Sequence, residues 1–101
     1  MSSLGSSERY ILYGVIEEIR RDYPDSNMEI SIESIRDYMS GRGLDMNYNV
    51  IRKILENVKI LKDDEDVNVF TRQRGPVKTG YVASTEDWDL FYMLLRLRTR
   101  R

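Results

Sequence analysis

The chain has 101 residues, 41% of them hydrophobic and 33% charged, with a formal net charge of −1. These values are typical of one globular domain rather than a disordered chain, and no apolar run approaches the roughly 20 residues of a membrane-spanning helix. Cysteine and histidine are both absent, which excludes disulfides, thiolate chemistry and nucleophile pairs of the Ser-His or Cys-His kind.

The N-terminal third predicts a short disordered segment followed by an amphipathic helix. Residues 1–6 (MSSLGS) are small and polar, which is typical of a disordered end. The first helix is expected to begin with Ser6 or Ser7 as its N-cap and to run to about Asp22 or Tyr23, because Pro24 disfavours helix at the residue before it. One face of this helix carries its apolar residues, which are Ile11, Leu12, Val15, Ile16 and Ile19.

A short strand at residues 28–30 leads into a predicted second helix. Ser31 is expected to cap that helix, and Ile30 and Ile35 have the spacing of a hydrophobic staple. Gly41 and Gly43 are expected to end it, since glycine tolerates the left-handed conformation of a C-terminal cap. The predicted buried stripe consists of Ile32, Ile35, Tyr38 and Met39.

A third helix is predicted after this glycine-containing turn. Asp45 or Asn47 is expected to cap it, and the helix is expected to run to about Asn57 and to lead into a strand. Its inner stripe would contain Val50, Ile51, Ile54, Leu55 and Val58. Its outward face would contain Tyr48, Asn49, Arg52, Lys53 and Glu56.

The downstream sequence predicts a hairpin with a basic tip. Residues 67–72 alternate in polarity and residues 78–83 offer a partner strand, while Gly75-Pro76 between them is a strong turn signal. Positive charge collects in this part of the chain: residues 1–70 hold 9 basic and 14 acidic side chains, whereas residues 71–101 hold 7 basic and 3 acidic ones. Such clustering creates a local positive surface although the total charge is near zero.

The last helix, predicted over about residues 86–98, is apolar on more than one face. Ser84 to Asp87 resemble a capping box at its start. Trp88, Phe91 and Leu95 have the spacing of a stripe that packs across the first helix. A second stripe of Leu90, Leu94 and Leu97 predicts a homodimer interface. The tail RLRTRR favours either contact with phosphates or an acidic partner, or a frayed, solubilising end.

The order of helix, short strand, helix, turn, helix, hairpin and helix resembles the winged helix-turn-helix family. The resemblance covers residues 7–83 and is strongest over LDMNYNVIRKILENVKIL, where a polar cap precedes a helix that leads into a strand. Family members commonly have a glycine after the third helix, whereas here Asn57 is the residue expected to adopt the left-handed conformation. The implied fold class is α+β, with a three-helix core, a β-hairpin wing and an additional C-terminal helix over residues 84–101.

The resemblance implies double-stranded DNA as the partner, with the third helix in the major groove and the hairpin as the wing. Asn and Arg suit base edges, and Arg and Lys neutralise phosphates. The implied DNA-binding residues are Asn47, Tyr48, Asn49, Arg52, Lys53, Arg72, Arg74 and Lys78. An alternative interpretation is that these residues form only the solvated face of an amphipathic helix and a soluble turn. Tyr48 could then equally belong to the core.

The function expected from these patterns is that of a cytoplasmic, dimeric transcriptional regulator without enzymatic activity, cofactor or metal. The acidic run from Asp63 to Asp66 lies close to the third helix and would repel phosphate unless it forms an exposed loop away from DNA. Its spacing does not match a calcium-binding loop, because no glycine follows. The alternative is a protein-interaction module on the same fold, which the acidic run and the apolar last helix favour.

Overall fold

The computed structural model describes residues 6–74 and 79–99, which form four helices and five strands of an α+β fold. In chain order these elements are α1 (Ser6–Arg20), β1 (Asn27–Ser31), α2 (Ile32–Ser40), α3 (Tyr48–Glu56), β2 (Lys59–Lys62), β3 (Glu65–Asn68), β4 (Phe70–Arg74), β5 (Thr79–Ser84) and α4 (Thr85–Thr99). Residues 1–5 of the predicted disordered segment lie outside the described residues.

Two antiparallel sheets organise the strands. β5 lies between β1 and β4 in a three-stranded sheet, whereas β2 and β3 form a separate two-stranded ribbon. Directly paired residues point to the same face of a sheet. On the face that packs against the helices, Ala83 is paired with Met28 and with Phe70, and all three are buried. This sheet therefore closes one side of the core.

The helices bury most of the apolar stripes that the sequence indicates, but Ile11 and Val50 are half-buried against the core and Tyr38 is exposed. Leu12, Val15, Ile16 and Ile19 of α1 are buried, as are Ile32, Ile35 and Met39 of α2 and Ile51, Ile54 and Leu55 of α3. Tyr38, predicted to be buried, is 38% exposed, so its assignment to the core was wrong. A tyrosine on the edge of a stripe keeps its hydroxyl in water while its ring covers apolar surface.

The predicted caps of α2 and α3 are confirmed. Ser31 Oγ accepts a hydrogen bond from the Ser34 amide at 3.1 Å, and Asn47 Oδ1 accepts one from the Asn49 amide at 2.7 Å. The left-handed residues are not all those that were expected. Gly43 has φ +74°, but Gly41 is right-handed, and Asn57 has φ −107°. The Asn57 side chain instead donates to the Lys53 carbonyl at 2.7 Å, which satisfies a free C-terminal acceptor.

Removal of the Ser31 cap provides a direct test of this local structure. We expect Ser31→Ala to lower the free energy of unfolding by about 1 kcal/mol, because an amide of the first turn of α2 loses its acceptor. Urea denaturation followed by circular dichroism measures the change. Ser40→Ala is the matched control, since Ser40 ends the same helix and its side chain is exposed. Equal losses in the two variants would contradict a capping role.

The acidic run forms the turn and second strand of the β2–β3 ribbon rather than the predicted loop. Lys62 pairs with Glu65, and Asp63 and Asp64 between them have φ of 50° and 68°. A two-residue hairpin turn of this kind requires positive φ at both positions, which Asp tolerates better than most residues. The Val69 amide donates to the Val58 carbonyl at 2.9 Å and closes the base of the ribbon.

α4 follows β5 without a linker and is held at its first residue. The Ser84 hydroxyl accepts from the Asp87 amide at 3.3 Å, which confirms the predicted cap. The buried Thr85 donates from its amide to the Ser26 carbonyl at 2.9 Å and from its hydroxyl to the Asp25 carbonyl. The loop between α1 and β1 therefore fixes the start of α4.

The predicted core side of α4 packs on α1. Trp88 is fully buried, and its indole Nε1 donates to Glu17 Oε1 at 2.8 Å. Tyr13 lies against Phe91, with ring centroids 5.2 Å apart. Arg20 and Asp89 form a bidentate ion pair closer to the end of α1. These contacts make α4 antiparallel to α1.

Candidate nucleic-acid interface

The outer face of α3 carries four of the five residues around this helix that the sequence predicted for DNA contact. Tyr48, Asn49 and Lys53 are exposed, and Arg52 is half-buried on the same helix. Asn47 precedes them, and its side-chain oxygen is already used as the N-cap acceptor. Its role in the free protein is therefore structural, whereas the other four present polar groups to solvent.

Glu56 joins this face to the three-stranded sheet. Its Oε2 lies 3.7 Å from Arg52 Nη1 and accepts a hydrogen bond of 3.3 Å from the Tyr81 hydroxyl. Burial and the neighbouring Glu56 charge raise the pKa of Tyr81, while the nearby Arg72 charge opposes that rise. Tyr81 therefore stays protonated and donates to Glu56 near neutral pH. This hydrogen bond holds α3 against β5, and Arg52 of α3 lies beside it.

Arg72 lies on the side of the hairpin that faces α3. It is exposed on β4 and is directly paired with the buried Tyr81, so both side chains leave the same face of the sheet. Arg52 of α3 therefore lies beside Glu56, and Arg72 of β4 lies beside the Tyr81 that donates to Glu56. Lys78 and the side chain of Arg74, which were also predicted to contact DNA, lie outside the described residues.

A depression between α1 and α3 borders the outer face of α3 at Lys53. It has a volume of about 420 Å³ and is lined by Arg9, Tyr13, Val50, Lys53, Ile54 and Asn57. Burial raises the pKa of the Tyr13 hydroxyl, and the charge of Arg9 partly offsets this effect. The sequence analysis did not identify Arg9 or Tyr13. The signal available for Tyr13 was its place beside Leu12 and Ile16 on the apolar side of α1.

The acidic ribbon is tied to the first turn of α4. Lys62 Nζ lies 2.9 Å from Asp87 Oδ1, and this contact raises the pKa of the lysine. α4 begins against the C-terminal half of α1, whereas Arg9 lies near the N-terminal end of α1. The tip of the ribbon is therefore tied near the C-terminal half of α1, whereas its base begins at Lys59, two residues after Asn57 of the depression.

The pKa shifts resolved among the described residues all favour the protonated form. They belong to Tyr13, Arg20, Lys62 and Tyr81, and each is upward. A tyrosine or lysine that serves as a general base or nucleophile needs a lowered pKa instead. The shifts of Tyr13, Lys62 and Tyr81 are in the opposite direction.

The predicted dimer residues occupy the outer side of α4. Leu94 and Leu97 are 45% and 59% exposed, whereas Leu90 is half-buried against the core. Met93, which the sequence analysis did not select, is 51% exposed beside them. The C-terminal half of α4 thus presents apolar side chains to solvent, and Arg98 is exposed on the same part of the helix.

Comparison with protein-family models, with curated proteins and with solved structures finds no match for this chain. Within residues 6–74 and 79–99, no group of three or more acidic side chains is placed to hold a metal ion. None of the described helices combines the length and the apolar character needed to cross a membrane.

Proposed function

We propose that this protein is a small winged helix-turn-helix protein that binds duplex DNA. The order of α1, β1, α2, α3, β4 and β5 supports this interpretation, as does the strand order β1-β5-β4, which places a hairpin beside the third helix. The β2–β3 ribbon is then an insertion between α3 and the wing. α3 enters the major groove, whose width of about 12 Å admits one helix.

The observation that carries the proposal is the shared location of Arg52, Lys53 and Arg72 around one solvent-facing helix surface. Glu56 is the carboxylate on this surface of α3, and it is engaged by Arg52 and Tyr81. Asn49 and Tyr48 add hydrogen-bonding groups that suit base edges or phosphates. The net charge of −1 does not oppose this, because affinity depends on the local positive charge.

We further propose that the protein acts as a homodimer in transcriptional control. Leu94 and Leu97, with Leu90 at the edge of the core, provide the dimer contact. Two-fold dimers present two recognition helices to two half-sites, which raises affinity and selectivity together. Sequence selectivity comes from α3, and most of the binding free energy comes from phosphate contacts.

A salt titration of binding to labelled duplex DNA tests the proposal. We expect Lys53→Gln and Arg72→Gln each to weaken binding and to reduce the slope of log affinity against log salt by about 0.9, the value for one phosphate contact. Both residues are exposed, so folding is retained. Arg21→Gln is the matched control because it removes the same charge from an exposed position just after α1.

Two outcomes of this titration would overturn the proposal. One is the absence of any binding at low salt by the unaltered protein. The other is equal binding by the unaltered protein, the Lys53 variant and the Arg72 variant.

A protein-interaction module on the same fold is the second candidate function. The exposed leucines of α4 and the acidic tip at Asp63 and Asp64 favour it, because one offers apolar area and the other offers charge to a basic partner. Absence of DNA binding, together with a partner protein that Leu94→Asp no longer binds, would favour this candidate over DNA binding.

A further inference from the structure

The depression between α1 and α3 combines positive charge with neutral polar groups. Arg9 and Lys53 are its two charged lining residues, and no carboxylate lines it. Both side chains are exposed, and neither forms an ion pair within residues 6–74 and 79–99. Two cations that share a depression without a counter-ion repel each other, and an anion bound between them would relieve this repulsion.

The neutral groups in the depression are also suited to an anion. Tyr13 lines the depression with little of its side chain exposed, and its hydroxyl is protonated near neutral pH, as tyrosine ordinarily is. The Asn57 amide is held in place by its bond to the Lys53 carbonyl. Val50 and Ile54 form the apolar part of the lining. A phosphate oxygen between Arg9 and Lys53 would gain charge-assisted hydrogen bonds, which are about twice as strong as neutral ones.

The position of this depression relative to α3 identifies the source of the phosphate. Arg72 lies beside Tyr81 on the sheet, and the Tyr81 hydroxyl donates to Glu56 of α3. Arg9 lines the depression on the α1 side of α3, together with Lys53 and Asn57. Lys53 and Asn57 follow Arg52 and Glu56 by one residue each, which is about 100° around the helix, so they lie on a different flank of its outer face. A helix of about 10–12 Å diameter that fills the major groove lies between the two phosphate backbones that border the groove. Cations on both flanks of α3 match these two backbones.

We propose that Arg9 and Lys53, with the Tyr13 hydroxyl, form a phosphate-binding site for the backbone on the α1 side of the groove. This inference rests on the proposed DNA-binding function and adds α1 to the DNA-contacting surface. Arg72 contacts the other backbone, and α3 lies between them. The site positions the duplex and does not read its sequence, because phosphate contacts are the same for every base pair.

The experiment measures the salt dependence of duplex binding for four proteins. They are the unaltered chain, Arg9→Gln, Arg21→Gln and Arg72→Gln. Arg9 lies in the first half of α1 and Arg21 directly follows its last residue, and both are exposed, so the two variants carry the same charge change at opposite ends of this segment. We expect Arg9→Gln to reduce the salt slope by about 0.9 and Arg21→Gln to leave it unchanged.

Tyr13→Phe supplies a second measurement without a change of charge. The ring contacts with Phe91 and Trp88 are kept, and only the hydroxyl is removed. We expect a weaker duplex affinity with an unchanged salt slope, because one neutral donor is lost while the ionic contacts remain. Thermal unfolding of each variant establishes that the fold is retained.

The outcomes separate this inference from the proposed function. If the unaltered protein binds and Arg72→Gln weakens binding while Arg9→Gln behaves as Arg21→Gln, DNA binding stands and the Arg9 site is wrong. If the unaltered protein does not bind, both are wrong. A titration with inorganic phosphate, followed by backbone amide shifts at Arg9 and Lys53, distinguishes a site for free phosphate; saturation by phosphate without any effect of Arg9→Gln on duplex binding would overturn the proposal.

Discussion

Replacing Trp88 by alanine is expected to lower the free energy of unfolding by about 3–5 kcal/mol, the usual range for loss of a buried large aromatic side chain. Trp88 is fully buried, and its ring centroid lies 5.9 Å from that of Phe70 on β4 and 6.3 Å from that of Tyr13 on α1. Its indole also donates to Glu17. One side chain thus connects three elements, and domains of this size have only about 5–15 kcal/mol of stability in total.

Urea denaturation followed by circular dichroism measures this loss, since the variant lacks the chain's single tryptophan. Trp88→Phe should have an intermediate effect, because it keeps a ring in the core but removes the donor to Glu17. Leu61→Ala is the control for a surface position, since Leu61 is 65% exposed, and we expect a change within about 0.5 kcal/mol. Equal stabilities of the Trp88→Ala and Leu61→Ala variants would contradict the central role of the indole.

Replacing Leu94 by aspartate is expected to dissociate the proposed dimer. Leu94 and Leu97 are exposed one turn apart on the outer side of α4, with Met93 beside them. A charge at the centre of such a contact would be desolvated without a partner, and hot-spot losses of about 2 kcal/mol or more raise the dissociation constant about 30-fold. Sedimentation equilibrium over a range of protein concentrations measures this constant.

The matched control for the dimer is Leu61→Asp. Leu61 is a leucine of similar or greater exposure on the ribbon, away from the α4 stripe, so it receives the same charge without altering the proposed interface. We expect this variant to dimerise like the unaltered protein. A monomeric unaltered protein at high concentration, or equal dissociation of both variants, would show the α4 interface to be wrong.

The elements with short-range signals could be predicted from the sequence. Ser31, Asn47 and Ser84 each cap a helix with a bond that spans two or three residues, so the residue types and their spacing contain the necessary information. The core side of α4 was also predictable, because Trp88 is apolar at a helical spacing from other large side chains. The caps depend on local bonds, whereas the partners of Trp88 on α1 and β4 are distant in sequence and only its burial could be predicted.

The β2–β3 ribbon was not predictable by the same means. Its second strand contains Glu65 and Asp66, which have low strand propensity, and its turn depends on two aspartates with positive φ. The alternation expected through residues 67–72 breaks at Val69, because Val69 and Phe70 are both buried where the chain passes from the ribbon to the sheet. This arrangement depends on the bond between Val58 and Val69, which joins residues distant in sequence.

Some residues of the candidate site could likewise be predicted from the sequence and others could not. The outer face of α3 follows from helical periodicity, so Asn49, Arg52 and Lys53 could be selected without a structure. The depression on the α1 side could not be selected, because Arg9 and Lys53 become neighbours only when α1 packs on α3. Glu56 was assigned to the outer face, but its bond to Tyr81 depends on the placement of β5.

The two hydrogen bonds that Thr85 donates bear on the spacing of half-sites that the proposed DNA-binding dimer would recognise. β5 continues directly into α4, and the amide and the hydroxyl of Thr85 both donate to the loop before β1. The first residue of α4 is therefore fixed relative to the rest of the domain. In the proposed two-fold dimer through α4, the distance between the two copies of α3 would therefore depend on the fixed place of α4 in each protomer and on how the two α4 helices pack. We expect such a dimer to prefer DNA whose two half-sites have the matching separation.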